Sequence, residues 1–198
     1  MKVLVACEFS GIVREAFVKK GHKAISCDLL PTEITGNHYQ GDVFDIIDDG
    51  FDLMIAHPPC TYLCSSGLHW NNRTPGREGL TRQALAFVRK LLSSDIEKIC
   101  LENPIGKINT AIRKPNQYIQ PYYFGHDASK KTGLWLKNLP ELMGTKYIEP
   151  RLVDGKNRWG NQTDSGQNKL PPSKDRWKLR STTYQGWADA MADQWGGL

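Results

Sequence analysis

Short apolar runs constrain the fold of this 198-residue chain most strongly. The runs Lys2 to Cys7, Lys23 to Cys27 and Phe51 to Ala56 each have the length and composition of one buried strand. An amphipathic segment from Ile12 to Lys20 separates the first two runs, and another, from Leu80 to Leu92, follows the third. Strands that alternate with helices predict parallel strands joined by right-handed crossovers. We therefore expect a single α/β domain with a mostly parallel twisted sheet and helices on both faces.

The composition indicates the cellular compartment of the protein and the chemical class of its partner. The net charge is +5, and the basic residues that follow Arg113 are interleaved with Trp, Tyr and Asn, which favours an anionic partner that contains bases. Five cysteines without regular spacing favour a reducing cytoplasm. No apolar run approaches the length of a membrane span, so we expect a soluble protein without a membrane partner.

Reactive residues follow two of the predicted strands. The run that ends at Ala56 stops at Pro58-Pro59 and presents Cys60, and a thiol held at a rigid strand end suits a nucleophile. The run from Lys98 to Leu101 ends at Glu102-Asn103, which places a carboxyl group at the sheet edge where ligands of open parallel sheets gather. The alternatives are a cysteine that serves only as a small apolar side chain and a glutamate that pairs with a lysine.

The first loop and two acidic residues predict a nucleotide-type site. In Phe9-Ser10-Gly11, the glycine lets the backbone approach a ligand, and Ser10 is a candidate cap for the helix that follows. Asp28 ends the second strand, where an acid accepts hydrogen bonds from ribose hydroxyls, and Asp42 lies in Gly41-Asp42-Val43 at the end of a short third strand, where it can accept from an adenine amino group. Each acid taken alone also fits a solvated loop.

Three other segments allow further structural or functional interpretations. His57, Cys60, Cys64 and His69 have spacings compatible with a structural zinc site, although zinc would leave Pro58-Pro59 and Glu102 without a role. The loop from Tyr62 to Gly79 is long enough to be functional. A closing helix is expected from Thr183 to Trp195, with an apolar face typical of core packing.

In this order, the fragments resemble the carbon-5 cytosine DNA methyltransferases, most closely a compact group of phage- and bacteria-encoded proteins. Phe9-Ser10-Gly11, Asp28 and Asp42-Val43 resemble the three motifs that bind S-adenosylmethionine. Pro58-Pro59-Cys60 is similar to the nucleophile motif, and Glu102-Asn103 to the Glu-Asn motif. Tyr184-Gln-Gly186 faintly resembles the closing motif of the family.

The resemblance implies a class I S-adenosylmethionine-dependent methyltransferase, Rossmann-like in fold, that methylates carbon 5 of a cytosine flipped out of DNA. Such a protein would act in the cytoplasm of a bacterial or phage-infected cell, as in restriction-modification. Cys60 would attack carbon 6 while Glu102 engages nitrogen 3, Lys130 would lie near the base or its phosphate, and no metal is implied. Cofactor contacts are expected from Glu8, Phe9, Ser10, Gly11, Asp28, Leu29, Asp42, Val43 and Pro58, and substrate contacts from Pro59, Thr61, Asn103 and Lys131.

The chain departs from the family in two places. Where the family has Gln-x-Arg-x-Arg before a strand, this chain matches only at Lys130, because Ala128 and Thr132 replace the outer residues and leave Lys131 as a candidate substitute. Only residues 138–183, a basic and aromatic insertion, stand in place of a recognition domain. Three readings follow: a minimal DNA methyltransferase, a pyrimidine nucleotide methyltransferase, and a non-catalytic DNA-binding relative. An amino methyltransferase fits less well, because Cys60 stands where its catalytic loop needs an aromatic residue.

Overall fold

A seven-stranded sheet forms the centre of the molecule. The structure, a computed structural model, describes residues 1–198. The strands of this sheet are β1 (Lys2–Ala6), β2 (Lys23–Asp28), β3 (His38–Gln40), β4 (Leu53–Ala56), β5 (Lys98–Pro104), β6 (Gln117–Ile119) and β7 (Thr132–Lys137). Their spatial order is β3-β2-β1-β4-β5-β7-β6.

Most of the sheet is parallel. Strands β3, β2, β1, β4 and β5 pair in parallel, whereas β7 runs antiparallel to both β5 and β6. The chain order reverses between β1 and β4, and this switch point is where open sheets of this class bind ligands, beyond the carboxyl ends of the strands. The expected Rossmann-like α/β class is therefore confirmed.

Helices cover both faces of the sheet. They are α1 (Ile12–Lys19), α2 (Ser65–Leu68), α3 (Arg77–Leu92), α4 (Ile108–Ala111), α5 (Arg176–Ser181) and α6 (Gln185–Trp195). Helices α1 and α6 pack in one apolar core of 20 buried residues, and α3 packs in a second core of 18 on the other face. Trp187, Met191 and Trp195 of α6 are almost fully buried, as their spacing predicts, and each stabilises the fold by about 1.5–3 kcal/mol. None of the helices is long and apolar enough to span a membrane.

The start of α1 differs from the expectation that Ser10 caps it. The carboxylate of Glu8 accepts hydrogen bonds from the amides of Val13 at 2.6 Å and Arg14 at 3.3 Å, whereas Ser10 Oγ lies 3.4 Å from the Ile12 amide and itself donates to Glu8. A carboxylate is the stronger partner for the free amides of a helix start. Gly11, at a φ of 77°, makes the left-handed turn that brings Glu8 there.

The boundaries of several strands and loops also differ from those that the sequence predicts. Strand β3 ends at Gln40, and Asp42 then caps a short 3-10 turn, Val43–Asp45. Strand β5 continues through Glu102 to Pro104, because antiparallel pairing with β7 extends its ladder past the apolar run. The loop from Tyr62 to Gly79 contains α2, a second 3-10 turn (His69–Asn72) and the start of α3. The insertion at 138–183 contains α5 and a hairpin of β8 (Arg151–Val153) and β9 (Lys156–Arg158).

Candidate active site

Cys60 lies just beyond the carboxyl end of β4. The neighbouring Cys64 thiol and burial raise the pKa of the Cys60 thiol, and the charge of Lys130 acts in the opposite direction. Hydrogen bonding with Cys60, and also with Ser66 and the Gly67 amide, lowers the pKa of Cys64 to about 5. A nucleophilic Cys60 therefore needs nearby positive charge to favour its thiolate.

Glu102 lies on the next strand, beside the segment that leads to Cys60. Ala56 pairs with Leu101 across β4 and β5, so the residues that follow each of them are neighbours. Glu102 Oε2 is 3.1 Å from His57 Nδ1. Burial opposes ionisation of the Glu102 carboxyl, but the hydrogen bond with His57 and the charge of Lys130 outweigh it, and the pKa of Glu102 is lowered.

Asn103 fixes the backbone in front of Cys60. Its Nδ2 donates to the Pro58 carbonyl at 2.7 Å, and the residue is 1% exposed. A buried amide that satisfies a buried carbonyl holds the Pro-Pro segment in one position. The two residues of the predicted Glu-Asn motif therefore both contact the segment that leads to Cys60.

Gly106 provides a second anchor for the Cys60 loop. The Lys107 amide donates to the Leu63 carbonyl at 2.7 Å, and the Ser65 amide donates to the Ile105 carbonyl at 3.0 Å. A Cβ at Gly106 would lie 1.9 Å from the Leu63 carbonyl oxygen. Only glycine allows this close approach of the two loops.

Lys130 and Lys131 point in different directions. Lys130 Nζ donates to the Arg180 carbonyl at 3.0 Å, and its charge acts on both Cys60 and Glu102. Lys131 Nζ lies 4.6 Å from the Tyr118 ring of β6. Successive residues of an extended chain face opposite sides, so Lys130, and not Lys131, is the lysine that faces the thiol and carboxyl pair.

A cavity of about 420 Å³ lies at the switch point, and Pro59, the residue before Cys60, forms part of its wall. Five of the predicted cofactor residues line it: Asp28, Leu29, Asp42, Val43 and Pro58. Asp28 Oδ1 accepts from the Leu30 amide at 2.9 Å, and Asp42 Oδ1 from the Phe44 amide at 3.0 Å. Each bond fixes a carboxylate at the cavity and uses one of its oxygens. Burial raises the pKa of Asp28.

The other predicted residues take different positions. Pro59, expected to contact the substrate, lines the cofactor cavity. Thr61 is exposed, and its carbonyl accepts from Arg77 at 3.1 Å. The Glu8 carboxylate accepts from the Val13 and Arg14 amides at the start of α1, and contact of Glu8 with a cofactor stays a prediction. The walls of the cavity do not include Phe9, Ser10 and Gly11.

Residues from the loop after β4 and from α3 complete the cavity, and the sequence did not predict them. They are Tyr62, Leu80, Gln83, Ala84 and Phe87, with Cys7 and Cys27 on the sheet side. The signal was the apolar spacing of Leu80, Ala84 and Phe87, which marks one helix face. Ordinary core helices have the same spacing, so it did not identify these residues as the lining of a ligand cavity.

Helix α5 bridges the first loop and Lys130. Lys178 forms a 2.6 Å ion pair with Glu33, and the ring centroids of Trp177 and Phe9 are 6.2 Å apart. The Arg180 carbonyl accepts from Lys130. A six-residue helix from the insertion thus contacts both the first loop and the lysine whose charge acts on Cys60 and Glu102.

The four candidate zinc ligands do not form a metal site. No group of three or more His, Cys, Asp and Glu side chains lies close enough together to hold a metal ion. His57, one of the four candidates, hydrogen-bonds Glu102. The arrangement can instead support covalent chemistry by a thiol beside a carboxyl group and an apolar cavity with two acids.

Comparisons with known proteins give only distant structural similarity. No protein-family model matches the sequence, and no curated protein matches it. A triple mutant of Spodoptera frugiperda DNMT2 is similar at 15% identity and a TM-score of 0.45, over 79% of this chain and 57% of that chain. WbdD, solved with a kinase inhibitor, is similar at 14% identity and a TM-score of 0.39, over 76% of this chain and 39% of that chain. This chain thus spans less than two thirds of either protein.

Proposed function

We propose that this protein transfers a methyl group from S-adenosylmethionine to carbon 5 of cytosine in DNA, through a covalent adduct at Cys60. One observation carries the proposal. Cys60 follows β4, Glu102 lies on the adjacent strand β5, and a cavity at the switch point, whose wall includes Pro58 and Pro59 before Cys60, carries acids after β2 and β3. A thiol, a carboxyl group and a nucleoside-sized cavity are the parts that this reaction needs.

The cavity suits the adenosine part of the cofactor. Its volume of about 420 Å³ lies within the usual size of small-molecule sites. Leu29, Val43 and Phe87 supply apolar walls for a purine ring, and Asp28 lies where a ribose hydroxyl can donate to it. When bound there, S-adenosylmethionine supplies an electrophilic methyl group.

The residues beside the cavity have defined roles in the proposal. The Cys60 thiolate adds to carbon 6 of the pyrimidine while Glu102 delivers a proton to nitrogen 3, so that negative charge does not accumulate on the ring. Carbon 5 becomes nucleophilic and takes the methyl group. A base, which solvent can supply, then takes the carbon-5 proton, nitrogen 3 returns its proton to Glu102, and elimination frees Cys60, because a thiolate is also a good leaving group.

The charge around α5 supports DNA as the partner. Residues 174–180 contain four basic residues and one acid, a net charge of +3, and Trp177 on this segment is 56% exposed. Basic side chains neutralise phosphates, and an exposed indole can stack on a base. A free pyrimidine nucleotide, the second candidate substrate, would use few of these contacts.

Transfer of a labelled methyl group tests the proposal. The protein is incubated with tritiated S-adenosylmethionine and either cytosine-containing DNA or deoxycytidine monophosphate, and the product nucleoside is identified after digestion. We expect label in 5-methyldeoxycytidine from DNA, and none with Cys60→Ser. If label appears only in the mononucleotide, the substrate is the free pyrimidine nucleotide and not DNA. Cofactor binding without transfer to either would favour the non-catalytic relative.

A further inference from the structure

Cys60 and Cys64 share one tight turn of the loop after β4. The Cys64 amide donates to the Cys60 carbonyl at 2.9 Å, and the two thiols are hydrogen-bonded to each other. A backbone bond from residue i+4 to residue i closes one turn of about 5–6 Å, which is within the Cα separation of disulfide-bonded cysteines. Both cysteines are free and only partly buried. The turn therefore holds two thiols close enough to form a disulfide.

The surroundings of Cys64 favour its thiolate. The hydrogen bond with Cys60 lowers the pKa of Cys64 to about 5, although burial acts in the opposite direction. Ser66 Oγ, 3.3 Å from the sulfur, the Gly67 amide and the charge of Arg180 add to this effect. The thiolate, and not the thiol, is the form of cysteine that reacts with peroxides. Cys64 is therefore ionised at neutral pH and is the more reactive member of the pair.

The other three cysteines have different surroundings. Burial raises the pKa of Cys27 to about 11 and raises the pKa values of Cys7 and Cys100 as well. The side chains of Cys27 and Cys100 are also buried. A protonated, buried thiol reacts slowly with oxidants. The turn at Cys60 and Cys64 thus combines two adjacent thiols with a stabilised thiolate, and the other cysteines do not.

We propose that this turn is a modification site at which a peroxide converts Cys60 and Cys64 into a reversible disulfide. The Cys64 sulfur attacks one oxygen of hydrogen peroxide, so that an S–O bond forms, the O–O bond breaks, and the departing hydroxide takes a proton from solvent. The Cys60 sulfur then attacks the Cys64 sulfur. The S–S bond forms, the S–O bond breaks, and the second hydroxide leaves as water with the Cys60 proton. The two sulfurs lose two electrons, and the peroxide is reduced to two molecules of water.

The disulfide occupies the thiol on which the proposed methyl transfer depends. This consequence rests on the proposed function, whereas formation of the bond does not. A sulfenic acid that condenses with a neighbouring thiol is kept from further oxidation to sulfinic acid, which is irreversible. A dithiol reductant opens the disulfide again by thiol–disulfide exchange. The pair should therefore make inhibition by peroxide reversible.

Mass spectrometry of the protein alone tests whether the bond forms. Fully reduced protein is treated with hydrogen peroxide, catalase removes the excess, and the remaining thiols are alkylated in denaturant before digestion. Fragment ions then assign each cysteine. We expect a disulfide between Cys60 and Cys64, alkylation of the other three cysteines, and alkylation of all five after dithiothreitol. The absence of this disulfide from folded protein, whichever other cysteine is oxidised, would overturn the proposal.

Recovery of methyl transfer tests what the bond does. We expect peroxide to abolish methyl transfer in the wild type and dithiothreitol to restore most of it. In Cys64→Ser, Cys60 has no partner and oxidises to sulfinic acid, so dithiothreitol should not restore activity, and the sulfinic acid is detected by mass. Cys100→Ala, which removes a buried thiol outside the turn, should recover like the wild type. Equal recovery in Cys64→Ser and the wild type would overturn the proposal.

The two measurements separate this proposal from the proposed function. Recovery is expressed relative to the same protein before oxidation, so a lower starting activity of a variant does not affect it. If the untreated wild type transfers no methyl group, the proposed function fails, and the mass of the oxidised turn still decides whether the disulfide forms. If an active wild type forms no disulfide, the modification site fails and the proposed function stands.

Discussion

At the scale of single residues, the ionisation of Glu102 is decided by its contacts. Burial alone would keep the carboxyl group neutral, and His57 and Lys130 reverse that tendency. The same carboxyl group is hydrogen-bonded to an imidazole through Oε2, and its Oε1 is buried without a hydrogen-bond partner. Its charge therefore contributes both to stability and to the proposed chemistry.

This ionisation predicts a pH dependence of stability. The pKa of Glu102 in the folded protein lies below its ordinary value of 4.5. The stabilisation from the ionised form is therefore present above pH 4.5 and is lost as the pH falls through the folded pKa. Urea unfolding at a series of pH values should show the free energy of unfolding falling more steeply in the wild type than in Glu102→Gln over this range. Parallel curves for the two proteins would contradict the assignment.

Asn103 predicts a stability effect at the Pro58 carbonyl. Asn103→Ala leaves that buried acceptor without its donor at 2.7 Å, which costs about 1–3 kcal/mol of unfolding free energy. Asn109 is the matched control, because its side-chain amide donates to the Tyr118 hydroxyl in an exposed contact. Urea unfolding that shows an equal loss in Asn103→Ala and Asn109→Ala would refute the anchoring role.

At the scale of elements, the site depends on two loops that meet. The loop after β4 carries Cys60, the loop after β5 carries Gly106, and backbone hydrogen bonds join them in both directions. The strands fix where the loops start, and the close contact at Gly106 fixes how they pack. The thiol is thus positioned by backbone as much as by side chains.

Gly106→Ala tests this contact. A Cβ would lie 1.9 Å from the Leu63 oxygen, so the loops must separate, and we expect a loss of about 1–3 kcal/mol in stability together with slower reaction at Cys60. Gly79→Ala is the control. Gly79 lies inside α3 with its nearest contact at 3.8 Å, so alanine there should stabilise the helix by up to about 1 kcal/mol. Thermal unfolding distinguishes the two, and a neutral Gly106→Ala would contradict the contact.

At the scale of the molecule, the apolar runs were sufficient to predict the parallel strands β1, β2, β4 and β5 that position Cys60 and Glu102, but not the antiparallel pairing of β7 with β5 and β6. Buried parallel strands have to be apolar, and their carboxyl ends meet at one edge. Helix α5 was not predicted, because Arg176–Ser181 has no apolar periodicity and is held by long-range contacts with Phe9, Glu33 and Lys130. The partnership of His57 with Glu102 was missed for a similar reason, since it depends on the register of two strands distant in sequence.

The location of charge, rather than its total, should govern DNA binding. We expect Arg176→Gln combined with Arg180→Gln to weaken DNA binding and to reduce the slope of log affinity against log salt by about 1–2, roughly one for each phosphate contact removed. The control combines Lys19→Gln with Lys156→Gln, which removes the same charge from exposed positions outside α5. Fluorescence anisotropy at several salt concentrations compares the two, and equal losses would exclude α5 as the DNA-binding element.

Covalent trapping tests the central proposal most directly. The protein is incubated with S-adenosylmethionine and DNA that contains 5-fluorocytosine, whose carbon-5 fluorine cannot leave as a proton does, and the digested product is analysed by mass spectrometry. The proposal predicts a stable link between the Cys60 sulfur and the base, absent in Cys60→Ser. With cofactor binding verified separately, the absence of any adduct, or an adduct at another residue, would contradict it.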